Sequence, residues 1–559
     1  MRKSVVLIVA LLLSATFCNA QKLSKKVDKA RQSVASILTY KEGELKGNGT
    51  AVVVGNDGNV LVPYSLMLGV DSAVFIDTKG KVRPMKGIVG LNDIYDCVRM
   101  RVAADKKLLH LPLSAAGASV GDELFMLAYG KKNSGEVTKV KVSAVDSLYS
   151  NAYYTLDVRM QESYVSLPLV NADGELVAIM QPMTAGDTCG YAISSTIYDK
   201  LLTTSITYGK GYYSGMGLRT LLPEDKEVAL SCMYMQAVVG DSISFRNAVD
   251  DFISAFPDSY EGYMSRAEYM AVYCRDMDAA AAAWNESLAR AENKAEVHFN
   301  KAKVIYSIVQ SGDTVSHAML NRDNAFEILD KAIEIDPQPL YLNYRADAFL
   351  ENGMFESAYD SYISLAGTTL RGPEIFARAS QCQGALKNYD AAVALMDSAI
   401  NCIDANSLRE ASPYILTRAL LKFSAGRFRE SAFDYNMYEE VMGAVPNANF
   451  YYMRSQAEAK GKMYQQALND LERAIAIEPG NAALYLEKGL LCYKVNMLEE
   501  GATTLEEAKG IVPDAPDVYY ILGCIYLKSG NMNLAVENLN SAVALGHPDA
   551  EAKLAEIKK

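Results

Sequence analysis

A pattern recurs every 34 residues toward the end of this chain, and it leaves few folds open. Leu522-Gly523, Tyr526, Ala535, Leu539 and Ala542 fall at the spacing of a helical hairpin. One period earlier stand Gly489, Cys492, Gly501, Leu505 and Ala508, ended by Pro513. A further period earlier stand Ser455, Ala467, Leu471 and Ala474, ended by Pro479. Looser matches carry the frame upstream: Ala392/Ala399, Ala358/Tyr362, Ala325/Leu329/Ala332/Pro337 (after an insertion around 311–323), Ala280/Trp284 and Ala248/Phe252. Small residues let two helices cross closely, a large apolar residue fills the neighbouring groove, and proline stops the second helix. A single hairpin of this size cannot bury its apolar face, so the units must stack on one another.

This frame resembles the tetratricopeptide repeat family, with about nine units over residues 225–546 and a C-terminal helix or tail at 547–559. The resemblance implies a helical solenoid with a concave groove for a protein or peptide, and does not name that partner. Two sets of same-phase residues are candidates for the groove: Tyr452, Leu486 and Tyr520, and Lys460, Lys494 and Lys528. The lysines form either a basic stripe along the groove or helix-end residues that complement backbone carbonyls, the commoner use of a lysine there. The tyrosines have a plain reading as packing residues between helices.

Charge divides the chain. Of a formal net charge of -12, residues 21–215 contribute +3 and residues 216–559 contribute -17. An acidic balance argues against a phosphate-binding surface, and no nucleic-acid partner is expected. The first twenty residues read as a secretory signal: basic Arg2 and Lys3, an apolar run Val5–Leu13, and Cys18-Asn19-Ala20 before Gln21. Bulky Phe17 disfavours a lipid-modified Cys18, and no later stretch has the length of a membrane helix. The expected location is therefore periplasm or cell envelope, or outside the cell. Eight cysteines remain after such a cleavage, scattered singly with no C-x-x-C, and read as buried thiols.

Residues 21–205 follow a different rule. Short runs of Val, Leu and Ile alternate with turn signals at Asn48-Gly49, Asp57-Gly58, Lys79-Gly80 and Asn171–Gly174, which predicts an all-β unit. Within it, Ser33–Ile37, Gly47-Asn48-Gly49-Thr50-Ala51-Val52-Val53-Val54 and Asp57-Gly58-Asn59-Val60-Leu61 resemble the opening of the Deg-type, trypsin-like serine proteases. Val89-Gly90 with Asp96-Cys97-Val98, Leu111-Pro112-Leu113, Val120–Leu124, Pro168–Val177 and Tyr191–Ser194 follow the same family order. The resemblance implies paired six-stranded barrels with a cleft between them. The stretch 206–224, with four glycines beside several tyrosines, reads as a linker. The architecture expected is thus multidomain: an all-β trypsin-like double barrel, then an all-α tetratricopeptide solenoid.

Departures from the protease pattern bear on function. By the resemblance, the family's histidine falls on Ser65, its aspartate on Asp96, and its nucleophilic serine on Val165 within Ser163-Tyr164-Val165-Ser166-Leu167-Pro168. A triad needs a base to take the hydroxyl proton and a hydroxyl to attack, and both are replaced. Ser163 also stands where a glycine turns backbone amides toward an oxyanion. Of the four histidines only His110 lies in this unit, and it follows Asp96 in the chain. No nucleotide loop, H-E-x-x-H or zinc-spaced Cys/His cluster occurs, so no cofactor or metal is expected. The sequence reads as a non-catalytic binding scaffold, with a hydrolase using Ser65 or Ser166 as the alternative.

Overall fold

The computed structural model describes residues 24–557, except 105–106, 184–185, 187, 210–214, 313–315 and 445. The secretory-signal residues therefore lie outside the described part of the chain. Two compact bodies are present, Met1–Asn321 and Arg322–Lys559.

Twelve strands open the first body. They are β1 Val34–Lys41, β2 Glu44–Val53, β3 Asn59–Pro63, β4 Ser72–Ile76, β5 Val82–Asn92 and β6 Cys97–Val102, then β7 Glu123–Leu127, β8 Val137–Leu148, β9 Asn151–Leu156, β10 Pro168–Val170, β11 Leu176–Met180 and β12 Gly190–Ser194. Each set of six closes into an antiparallel barrel, in the orders β1-β2-β3-β6-β5-β4 and β10-β11-β12-β9-β8-β7. Closure leaves no exposed sheet edge. Inward residues fill each barrel: Ile37, Val60, Phe75, Ile88 and Met100 in the first, Leu124, Val142, Tyr154, Leu169 and Ala178 in the second. A third apolar cluster joins Val34, Val52, Leu61 and Cys97 of the first barrel to Leu127, Val170, Ile179 and Ile193 of the second. The paired barrels expected from the sequence are present.

The described part of 206–224, expected to be a linker, is a strap. Gly69 N donates to Gly215 O at 2.6 Å and Gly217 N to Val70 O at 2.7 Å. Ile88 N and Leu221 N continue the pairing along β5, to Arg219 O and Ile88 O. On its other side Gln236 Nε2 of the first solenoid helix, Lys226–Val239, donates to Tyr208 O at 3.1 Å. Backbone groups that would be unpaired in a free linker are thus used here. Two helical hairpins, Lys226–Val239 with Ser242–Ala255 and Tyr260–Tyr269 with Met277–Arg290, and helix Lys294–Gln310 complete this body.

The second body opens with helix Arg322–Ile335 and continues through six hairpins, from Pro339–Glu351 with Phe355–Leu365 to Pro516–Lys528 with Met532–Ala544, before a last helix at Ala550–Ile557. Small residues do what the repeat frame requires. A Cβ on Gly489 would lie 2.5 Å from Leu505 Cγ, and one on Gly523 2.7 Å from Leu539 Cγ. In both units the missing side chain is what lets the second helix's leucine seat against the first. The eight cysteines among the described residues are free thiols, five of them buried. Among the described residues no helix is long and apolar enough to cross a membrane.

Candidate functional site

In the first barrel, β3 runs into a one-turn helix, Tyr64–Met67, that carries Ser65. Asp96 sits on the β5–β6 turn in the left-handed region, φ +47°. The two meet: Ser65 N donates to Asp96 Oδ1 at 2.6 Å and Ser65 Oγ to Oδ2 at 3.1 Å. Ser65 is exposed, whereas Asp96 is 8% exposed. Burial raises the Asp96 carboxyl above its ordinary range, and the hydrogen bonds from Ser65 and Tyr64 offset part of that rise. Beside it, burial pushes the Cys97 thiol up to about 12, which keeps it an unreactive thiol. Leu66 packs its methyl groups over Gly47 and Gly49, where a Cβ would lie 3.0 and 2.7 Å from them.

Tyr95, just before Asp96, reaches the second barrel. Its hydroxyl donates to Leu148 O at 3.0 Å and accepts from Asn151 Nδ2 at 2.7 Å, while Gln181 Nε2 donates to Tyr95 O at 2.9 Å. Lys200 Nζ in turn donates to Asn151 Oδ1 at 2.6 Å. A buried polar network of this kind ties the Asp96 turn to its neighbour barrel.

The loop at the nucleophile position is wound inward. A 3-10 turn, Glu162–Tyr164, leads to Val165, whose side chain packs on the second barrel's core. Val165 N donates to Glu162 O at 3.3 Å and Tyr164 N to Gln161 O at 2.9 Å, so both amides are spent within the turn. Ser166 is 5% exposed, has φ +62°, and donates its N–H to Met180 O at 3.0 Å. Among the described residues no hydrogen bond joins Ser166 to Ser65 or Asp96. His110 lines a separate cavity of about 240 Å³ with Lys26, Lys29 and Asp173.

The second body places the groove candidates differently from a free stripe. Tyr452 and Leu486 are partly buried against neighbouring core clusters. Tyr520 stacks on His547, ring centroids 3.9 Å apart, and His547 Nε2 lies 3.3 Å from Asp517. The residues after the last hairpin therefore cover Tyr520. Each lysine stands over an aromatic ring of the preceding unit: Lys460 Nζ 4.5 Å from the Phe423 centroid, Lys494 5.7 Å from Tyr464, Lys528 4.8 Å from Tyr493. Lys528 Nζ also donates to Tyr493 O at 3.1 Å, a carbonyl at the end of a neighbouring helix rather than of its own.

Sequence reasoning missed a partly buried ionic ladder. Arg418 forks onto Asp434 (2.9 and 2.8 Å) and reaches Asp397 at 2.6 Å. One unit on, Arg454 forks onto Asp470 (2.5 and 2.9 Å) and reaches Glu439 at 2.6 Å. One further on, Lys488 pairs with Glu472 at 2.8 Å and Glu500 at 2.9 Å. The signal existed: each basic residue immediately precedes the small residue of its unit (Ala419, Ser455, Gly489), at a phase the frame reserves for apolar side chains.

Comparison with known proteins bears mainly on the helical half. Tetratricopeptide repeat models match residues 459–525 and 516–545. The mitochondrial import receptor subunit TOM70 of Homo sapiens is 24% identical over 241 residues, covering 41% of this chain and 39% of that protein. Sperm-associated antigen 1 of Mus musculus is 30% identical over 92 residues, 16% of this chain and 10% of that one. The chain thus spans about two fifths or less of the length of these relatives. For the front half, the serine endoprotease from Yersinia pestis aligns at 18% identity and a TM-score of 0.28, over 31% of this chain and 63% of that chain. The strand order on its own gives the front architecture: this chain joins a pair of closed six-stranded antiparallel barrels to a run of helical hairpins, of which residues 459–545 match tetratricopeptide repeats.

Proposed function

We propose that the protein is an exported, non-catalytic scaffold of the cell envelope that binds a protein or peptide partner. One observation carries the non-catalytic part: the side chain that holds Asp96 is Ser65, which has no basic nitrogen to take a proton. Val165 adds to it, since an apolar side chain packed on the core replaces a hydroxyl aimed into the cleft. The Val165 amide, which would face an oxyanion, is used within its own turn. Tetratricopeptide units and a relative that is by name an import receptor subunit support protein recognition by the helical half. Export rests on the basic start and apolar run of residues 2–13.

The alternative, a hydrolase acting through Ser65 or Ser166, gains nothing from the geometry. Ser65 gives its proton to a carboxylate, a weak base for a hydroxyl, and Ser166 is buried. The deciding experiment is labelling of the purified protein with a serine-reactive fluorophosphonate, alongside casein cleavage. No labelling and no cleavage are expected. Labelling that disappears on Ser65→Ala or Ser166→Ala overturns the reading. Partner capture by crosslinking in intact cells, with N-terminal sequencing of the mature chain, tests binding and export.

A further inference from the structure

Three segments of the first body meet around the cavity of about 240 Å³ that holds His110. They are helix Lys25–Ala30 with its 3-10 turn Arg31–Ser33, the stretch 109–112 between the barrels, and the β10–β11 turn. The structure fixes each wall. Val27 and Ala30 belong to the apolar cluster that joins the two barrels, and Ser24 Oγ donates to Ala172 O at 3.0 Å. Gly174 comes so close that a Cβ there would lie 2.8 Å from Lys26 O. Leu111 N donates to Val53 O at 2.9 Å and Leu176 N to Pro112 O at 2.8 Å, which pins the third wall. A pocket built on paired backbone and packed side chains costs little to organise for a ligand.

Floor and mouth differ in chemistry. Ala30 and Leu111, both buried, give the floor its apolar character together with Pro112. Ser33 lies among them, 2% exposed, and its hydroxyl makes no hydrogen bond among the described residues. A buried hydroxyl ordinarily has a partner, and here the cavity is the space from which one can come. Exposed Lys29 and half-buried His110 line the mouth. His110 Nδ1 faces Leu108 O at 3.5 Å; a carbonyl only accepts, so Nδ1 carries the hydrogen and Nε2 is left to accept. Lys26 is matched by Asp173 at 2.6 Å and Asp28 by Arg31 at 2.9 Å. Lys29 has no carboxylate partner among the described residues, and Asp173 across the mouth is already neutralised by Lys26.

We propose that this cavity binds a small hydroxy acid, its carboxylate on the Lys29 ammonium and its hydroxyl between Ser33 Oγ and His110 Nε2. The short apolar body of the ligand rests on Ala30, Leu111 and Pro112. A hydroxyl suits both of its neighbours, since it donates to the ring nitrogen and accepts from the serine. The carboxylate gains a charge-assisted bond from the ammonium. At about 30 Å³ for each water-sized group, the space holds about eight non-hydrogen atoms, the size of α-hydroxyisovalerate. This site is independent of the protein-binding reading of the helical half, and neither stands on the other.

The test is isothermal titration calorimetry of the full chain with α-hydroxyisovalerate and two counterparts. Isovalerate lacks the hydroxyl, and α-hydroxyisovaleramide lacks the charge. A single class of site is expected, with the hydroxy acid bound about fivefold or more tightly than either counterpart, and a melting temperature that rises with its concentration. Lys29→Gln should remove the advantage over the amide, and Ser33→Ala should shrink the advantage over isovalerate. Ser33→Ala deletes one buried oxygen and no side-chain hydrogen bond among the described residues, and Lys29 is exposed, so both variants keep the fold. Circular dichroism melting checks this. Absence of saturable binding at millimolar concentration, equal binding of the three compounds, or preferences unchanged in either variant overturns the proposal. So does displacement of the hydroxy acid by inorganic phosphate at equal concentration, which would make the cavity a general anion site.

Discussion

Arg454 and Asp470 face each other in a two-pronged ion pair, Nε to Oδ2 at 2.5 Å and Nη2 to Oδ1 at 2.9 Å, with both residues 3% exposed. The pair joins the first and second helices of one unit, and Glu439 brings in the preceding unit. Taking either partner away leaves a charge stranded where water cannot reach it. Asp470→Ala should therefore cost about 3 kcal/mol or more in urea unfolding of the helical body. Arg454→Met combined with Asp470→Leu should recover most of that loss, because both fully buried charges are then gone and Glu439, whose side chain is 30% exposed, keeps access to water. A double variant as unstable as the sum of its singles would show that the pair acts through shape alone.

Glu458 lies one turn along the same helix, 3% exposed, with Oε2 buried and unpartnered. Burial, then repulsion from Asp470, raises its carboxyl from an ordinary value near 4.5 to about 8, while Arg454 and Arg473 pull it down and Glu439 adds to the rise. The folded state thus holds a proton that the unfolded state releases. Stability from this group is present below about pH 4.5 and is lost as pH rises through about 8. Glu458→Gln should flatten that slope, and at pH 9 the variant should exceed the parent by on the order of 2 kcal/mol. Equal melting curves at pH 5 and pH 9 for parent and variant would contradict this.

How far the sequence could be read depended on where the physics is local. Helix hairpins follow from spacing alone, because Gly489 and Gly523 meet Leu505 and Leu539 within one unit. Barrel closure was readable only through the resemblance, since pairings such as Val34 with Val52 and Ile37 with Phe75 are set by registers no short window contains. Groove candidates were found by phase, but spacing alone left open whether they line the groove or pack between helices: Tyr520 is covered by His547, which lies outside the repeat frame. Arg418, Arg454 and Lys488 were passed over because a charged residue at an apolar phase reads as a weak match. Its partners lie some 12 to 21 residues away, on other helices.

At the barrel site, Asp96 is raised above its ordinary value of 3.8 mainly by burial. Its charged form is therefore the less favoured one on folding, and the parent loses stability as pH climbs from near 3.8 through the raised folded value. Asp96→Asn keeps an oxygen for Ser65 N and lets the Ser65 hydroxyl turn to accept from the new amide. The variant should melt no lower than the parent at pH 8, within about 1 kcal/mol. Asp96→Ala, which leaves Ser65 N without its acceptor, should melt lower at every pH. An Asn variant that unfolds like the Ala variant would mean that the negative charge itself holds this turn.

The strap gives the last prediction. Residues 215–221 supply hydrogen-bonding partners to Gly69, Val70 and Ile88, and Gly87 lies so close to the strap that a Cβ there would meet Arg219 O at 2.6 Å. A fragment ending at residue 205 strips β5 of that partner and removes Met216 from the first barrel's core cluster, where it is buried. A fragment ending at 224 keeps both. By circular dichroism the longer fragment should give a cooperative β-type melt, and the shorter one should melt several degrees lower, since four backbone hydrogen bonds and one buried methionine are worth a few kcal/mol together. Trypsin treatment of the full chain should likewise leave Arg219 uncut while Arg101, Glu224 and Asp251 hold the strap in place, with Arg101 2.6 Å from Glu224 and Arg219 3.2 Å from Asp251. Early cleavage at Arg219 together with identical melting of the two fragments would mean that 206–224 is the free connector its glycines advertise.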